Sequence, residues 1–169
     1  MSLLVRKIAQ AKWRKSEKGT IDELSADAIT GCLRTSQNTL SVWRIQDEKK
    51  IDEAVLAIAS GHKRLETFDV VWLLPEQLGK EGLEIKDSPG LTPIAAFVNN
   101  HSDVVNLTYS GLGKIARCIL TCLSQKRFKR YNRAEVKKLL MDAINSGILE
   151  VANIEPRLAK DLSLSLELH

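Results

Sequence analysis

Two stretches of helical periodicity, separated by a short basic run, constrain the fold of this chain more than any other feature. From Leu112 the apolar residues are Leu112, Ile115, Ala116, Ile119, Leu120 and Leu123. Steps of three and one keep all six on one face of an α-helix. Ser110 or Thr108 can offer a side-chain oxygen to cap its start. The rhythm returns with Val136, Leu139, Leu140, Ala143 and Ile144. Asn132 stands at the N-cap of this second helix, and Glu135 three residues on completes a capping box. Gly147 follows the last apolar pair, where a left-handed C-terminal residue is wanted. Ile148 to Val151 then reads as a short strand or an extended exit.

Between the helices runs Lys126-Arg127-Phe128-Lys129-Arg130-Tyr131. With Arg133, Lys137 and Lys138 it makes seven basic side chains in thirteen residues, against one acid, Glu135. Lys and Arg neutralise phosphates and release counterions, so these seven are the candidate nucleic-acid or anion contacts. Phe128 and Tyr131, inside the run, are candidates to stack on exposed bases. A winged-helix module needs a third helix before its wing, and the connection leaves no room for one. The spacing suits an αα-hairpin with the basic run as its turn.

Charge is segregated along the chain. Residues 1–18 carry a net +5 and residues 126–138 a net +6, while the whole chain carries +4, so the remainder sums to −7. Two basic segments on an acidic body imply an anionic partner: an acidic protein surface, nucleic acid or headgroups. A length of 169 residues fits one domain, 1–169. Any subdivision falls near Asp87 to Pro93, separating an α/β part (1–88) from a mainly helical part (91–169). No apolar run approaches the ~18 residues of a membrane span. Leu3-Leu4-Val5 is followed at once by Arg6-Lys7, which is no signal peptide. Three sparse cysteines, Cys32, Cys118 and Cys122, suit reduced thiols and a cytoplasmic location.

Leu4 to Trp13 fits a helix or a strand; Val, Ile and Trp favour a strand, pairing at a sheet edge. Ile21 to Leu33 reads as a helix capped by Ser25, and Thr39 to Ile45 as an alternating strand. Ile51 to Ser60 has one apolar helical face and ends at Gly61. Phe68 to Leu74 is an apolar run closed by Pro75, expected to be a central strand covered on both faces. Pro75 to Gly79 suits one helical turn, Gly82 to Ile85 an edge strand, and Asp87-Ser88-Pro89-Gly90 a turn. The order from Leu40 to Leu74 suggests a βαβ unit with parallel strands. Pro93 can open a helix reaching Asn99, and His101-Ser102-Asp103 is a joint. Pro156 to Leu162 suits a helix, whereas Leu162 to Leu168 alternates like a strand. The expected fold is α+β, or a small α/β: a small mixed sheet in the N-terminal half and a helical hairpin in the C-terminal half.

No stretch names a chemistry. Cys118 and Cys122 lie one helical turn apart but lack the third and fourth ligands of a metal site. Cys118 falls off the apolar face and Cys122 on its margin. His101, Ser102 and Asp103 have the residue types of a catalytic triad, yet adjacent residues cannot line up nucleophile, base and orienting acid. Ser110-Gly111-Leu112-Gly113-Lys114 lacks the spacing of a P-loop, and Ala116 stands where a dinucleotide fingerprint needs glycine. Arg34 to Asn38 is a polar connection, and His62 follows a helix end, exposed. The sequence therefore predicts a non-catalytic accessory protein working through a protein partner, with no cofactor, metal or membrane. Nucleic-acid binding through residues 126–138 is the alternative. An enzyme whose site is scattered is the third reading, with Arg34 to Asn38 and His101 its first candidates.

Overall fold

The computed structural model describes residues 2–13 and 24–164. Among the described residues, six strands form one sheet: β1 (Leu3–Ile8), β2 (Leu40–Ile45), β3 (Phe68–Leu73), β4 (Glu84–Asp87), β5 (His101–Val105) and β6 (Phe128–Tyr131). Their order is β4-β5-β2-β1-β3-β6. The helices are α1 (Ala26–Cys32), α2 (Ile51–Ser60), α3 (Pro75–Lys80), α4 (Tyr109–Ser124), α5 (Arg133–Asn145) and α6 (Pro156–Asp161). The fold is α+β, as the sequence implies.

Every neighbouring pair is antiparallel, so the sheet is not mixed. β2 and β3 do run parallel, but β1 is inserted between them and pairs with both. The βαβ unit is therefore split. β1 belongs at the centre rather than the edge because its apolar residues face both ways. Leu3 and Val5 join one core, Leu4 and Ile8 the other. β3 is buried along its whole length, as expected of a central strand.

The two cores lie on opposite faces of the sheet. One packs Val5, Trp43, Phe68, Val70 and Trp72 against α2, α5 and α6. The other packs Leu4, Val42, Val71 and Leu73 against α1, α3 and α4. This arrangement overturns the αα-hairpin: α4 and α5 cover different faces. The basic run between them is the strand β6, paired with β3 from Phe68↔Tyr131 to Val71↔Phe128.

Several local signals fall where they are read. Thr108 caps α4 by accepting from the Gly111 N–H. Asn132 and Glu135 form the complete capping box of α5, and Gly147 is left-handed at φ +73°. Ile148 to Val151 is not a strand. The N–H groups of Ile148 and Leu149 both go to the Ala143 carbonyl, closing α5, so the first half of this segment has no donor for a ladder. Val151–Asn153 is a 3-10 turn instead. His101 to Val105 is a strand rather than a joint, and the segment after Pro93 is a 3-10 turn over Ala95–Asn100. Ser25 stands before α1 without a side-chain cap bond. The alternation from Leu162 to Leu168 lies mainly outside the described residues, as do Arg14, Lys15 and Lys18.

Candidate binding trough

The sheet is split at one point. β1 pairs with β3 as far as Ile8↔Asp69, and β2 pairs with β5 from Leu40↔Val104 to Trp43↔His101. Between β1 and β2, however, the ladder stops at Val5↔Trp43. Beyond it each strand follows its other neighbour. The Arg6 guanidinium bridges the gap, donating to the carbonyls of Ser41 and Cys32 at 2.8 Å each.

A cleft of about 480 Å³ opens there, lined by Lys7, Ser41, Trp43, Ile58, His62 and Glu66 among others. A second lobe of about 400 Å³ shares Ser41, Trp43, Ile58 and His62 with it, and adds Leu91, His101 and Asp103. A shallower depression of about 610 Å³ shares His62 and Glu66, and is bordered by Lys63, Arg64 and Arg133. His62 lines all three, so they adjoin at this residue and together make up the candidate trough. Its far wall is the loop around Gly90, packed tightly on the sheet. A β-carbon at Gly90 would lie 2.6 Å from the Trp43 ring and 2.8 Å from the His101 Cβ.

The polar groups of the two lobes are largely held by one another. Lys7 Nζ donates to Glu66 Oε1 at 2.8 Å, and His62 Nδ1 contacts the same oxygen. Lys7 also lies 4.3 Å above the Phe68 ring, and the His62 ring meets Phe68 edge-on. Burial and the Lys7 charge push the His62 pKa below its ordinary value, although Glu66 pulls the other way. Burial raises the Glu66 pKa, but Lys7 and His62 outweigh it and hold the carboxyl below its ordinary value.

At the other end Ser88, His101 and Asp103 converge. Ser88 Oγ donates to Asp103 Oδ2 at 2.6 Å, and Ser41 Oγ donates to Asp103 Oδ1 at 3.3 Å. Ser88 Oγ also lies 2.9 Å from His101 Nδ1. A hydroxyl has one proton to give. Here the carboxylate takes it, which assigns an Nδ1–H imidazole donating to the serine. A serine nucleophile needs the reverse, a base accepting its proton. The three residue types do meet, with Ser88 in place of Ser102, but as a structural network. The buried thiols of Cys118 and Cys122 supply no nucleophile either, since burial pushes both up to about 11. Cys118 is on the buried side of α4, not off it, because α3 packs there and widens the covered face.

The basic residues singled out by sequence are divided. A strand turns alternate residues to opposite faces, so Lys129 and Tyr131 point one way, Phe128 and Arg130 the other. Lys129 pairs with Asp52 at 3.1 Å, Arg130 approaches Asp69 at 3.8 Å, and Arg127 donates to Gln77 Oε1 at 3.2 Å. Tyr131 is 2% exposed, so its ring is not open for stacking, and its hydroxyl donates to Asp52. Phe128 packs against the opposite core. Lys126 and Lys138 are exposed, and Lys137 is half-buried. Arg133 alone of the seven borders the trough.

Sequence reading missed Lys63 and Arg64. Their only signal is the short cationic run His62-Lys63-Arg64 directly after a helix stop. The Lys7–Glu66 and Ser88–Asp103 pairings leave no sequence signal, since each joins residues from separate elements. Of the polar connection from Arg34 to Asn38, Gln37 and Asn38 form a tight left-handed turn. Lys114, the lysine of the P-loop-like segment, is committed to the Glu81 carbonyl. Among the described residues no group of three His, Cys, Asp or Glu could hold a metal ion, and no helix is long and apolar enough to cross a membrane. Comparison with protein-family models, with curated proteins and with solved structures finds no match.

Proposed function

We propose that this protein is a small cytoplasmic, non-catalytic adaptor that docks a protein partner in the trough between the splayed strands β1 and β2. The joining of three depressions at His62 carries this reading. A concavity whose carboxylates, imidazoles and serine hydroxyls are already paired, and whose remaining charges are cations, offers shape and charge to a partner, but no free carboxylate, imidazole or nucleophile to a reaction. The test is differential capture from the host. Wild type and Ile58→Arg, which fills the shared floor of both lobes, are compared at matched melting temperature. The expected result is a partner protein retained by wild type and lost by the variant. Identical captured sets would sink the reading.

Nucleic-acid binding is the second reading. It is favoured by Lys63, Arg64 and Arg133, which gather at one end of the trough and have no carboxylate partner among the described residues. It requires retention on a nucleic-acid column at ~50 mM salt that weakens steeply as salt rises. Arg64→Glu with Arg133→Glu should abolish that retention. Passage of wild type straight through the column excludes it.

A further inference from the structure

We infer that the trough's occupant is an acidic, extended peptide segment of the partner, with carboxylates at the Lys63–Arg64–Arg133 end and an apolar side chain on the Trp43–Ile58 floor. This rests on the docking reading above and names its ligand class.

Charge complementarity is the first argument. Lys63 and Arg64 leave α2 and Arg133 opens α5, so residues distant in sequence bring three exposed cations around one depression. The nearby acids are engaged elsewhere, Glu66 by Lys7 and His62, and Asp161 by the Leu65 N–H. Like charges gathered without an ion pair of their own repel one another, and an anionic partner relieves that repulsion.

The second argument is the backbone. Past Val5↔Trp43 the facing edges of β1 and β2 no longer pair with each other. An extended chain laid along such an edge gains main-chain hydrogen bonds from the groups that Arg6 and Cys32 do not already hold, while alternate side chains enter pockets. The floor beneath, Trp43 and Ile58, is shared by both lobes and takes an apolar side chain. Leu91, 97% exposed, extends the apolar rim beyond it.

The same features disfavour a single nucleic-acid strand. Base stacking needs free aromatic faces. Trp43 is only 8% exposed and meets His101 edge-on, and His62 is edge-on to Phe68. Asp103 at the far lobe would face a phosphate.

The experiment is selection from a displayed library of random 12-residue peptides, against wild type and Ile58→Arg. Ser41→Tyr, at an exposed position in the same lobes, replaces Ile58→Arg if that variant melts early. Enriched peptides are then measured by fluorescence polarisation. Acidic sequences flanking an apolar residue are expected, lost on the trough variants. Arg64→Glu with Arg133→Glu should weaken binding by about tenfold or more, and raising salt from ~50 to ~300 mM should weaken it too, because the contact is between exposed charges. Replacing the peptide's Asp and Glu by Asn and Gln should have the same effect as the protein charge reversal, whereas Lys126→Glu should have none. Enriched peptides that lack acids yet depend on Ile58 would overturn this inference and leave the docking reading standing. Enrichment of nothing would overturn both. Displacement of the peptide by an oligo(dT) strand of equal or higher affinity would overturn the peptide assignment in favour of nucleic acid.

Discussion

Cys122 Sγ lies 3.3 Å from the Trp72 carbonyl and donates to it, so a thiol on α4 is tied to the central strand β3. Neither Cys118 nor Cys122 meets solvent, and both titrate at about 11. Thiolate is the reactive form. At pH 8 only about one in a thousand of these thiols ionises, even with no allowance for access. Native protein treated with iodoacetamide should therefore remain unmodified at both positions by peptide mass mapping, with alkylation appearing only in denaturant. Native labelling at Cys118 would contradict the packing of α3 on α4, and at Cys122 the packing of α4 on β3. The Asn132–Glu135 capping box is a second residue-scale device, and its strength is readily measured. Asn132→Ala removes the acceptor for the Glu135 N–H. The expected loss is about 1 kcal/mol, a fall of roughly 2–4 °C in melting temperature for a chain of this size. An unchanged melting temperature would mean that α5 is held by its packed face alone.

At the scale of elements, β6 shows how a strand hides in a sequence. It is four residues long and lies at the sheet edge, with two of its residues Lys129 and Arg130. Edge strands carry such charges because an open row of backbone donors and acceptors otherwise recruits other chains. Lys129→Val with Arg130→Val should therefore give concentration-dependent aggregation well below the melting temperature, seen by light scattering. Lys129→Arg with Arg130→Lys should scatter no more than wild type. Equal scattering from both variants would show that the edge needs no guarding. The charges that guard the edge also made β6 read as a loop. α2 and β3 were legible because burial selects apolar residues along them, round most of α2 and on both faces of β3. Thr108, Asn132 and Gly147 were legible because capping is local. What was not legible depends on pairing between distant residues. Nothing in Leu3 to Ile8 says that it will lie between β2 and β3. Nothing in Arg6 says that it will bridge a split ladder to Ser41, and so the trough had no signature. Of the seven basic residues only Arg133 borders the candidate trough, because the strand sends the charges of Lys129 and Arg130 to opposite faces.

At the scale of the whole molecule, four of the ionisable groups that join separate elements have pKa values shifted in the acid range, and these shape how the fold responds to acid. Asp52 on α2 holds Lys129 and Tyr131 of β6. Its burial raises the carboxyl's pKa, but those two bonds outweigh it and the net value is lowered. Glu66 ties the loop before β3 to Lys7 of β1 and is lowered likewise. Asp87 of β4 accepts from Ser102 of β5 and from Arg44 of β2, and these bonds lower it. A carboxyl lowered on folding stabilises the fold above its unfolded pKa and loses that contribution as pH falls through the folded value. For these three the loss begins near pH 4 and continues downward. His62 responds at a higher pH. Its folded value lies below 6.5, chiefly through burial and then through Lys7. The unfolded chain therefore takes the proton first, and stability declines as pH drops from about 6.5 toward that folded value. Urea midpoints measured from pH 8 to 3 should fall in two stages, one beginning below about pH 6.5 and one below about pH 4. His62→Gln should flatten the first stage and leave the second, because glutamine keeps a polar side chain beside Glu66 but cannot charge. A first stage that persists unchanged in His62→Gln would place its origin in another group and remove His62 from the acid response.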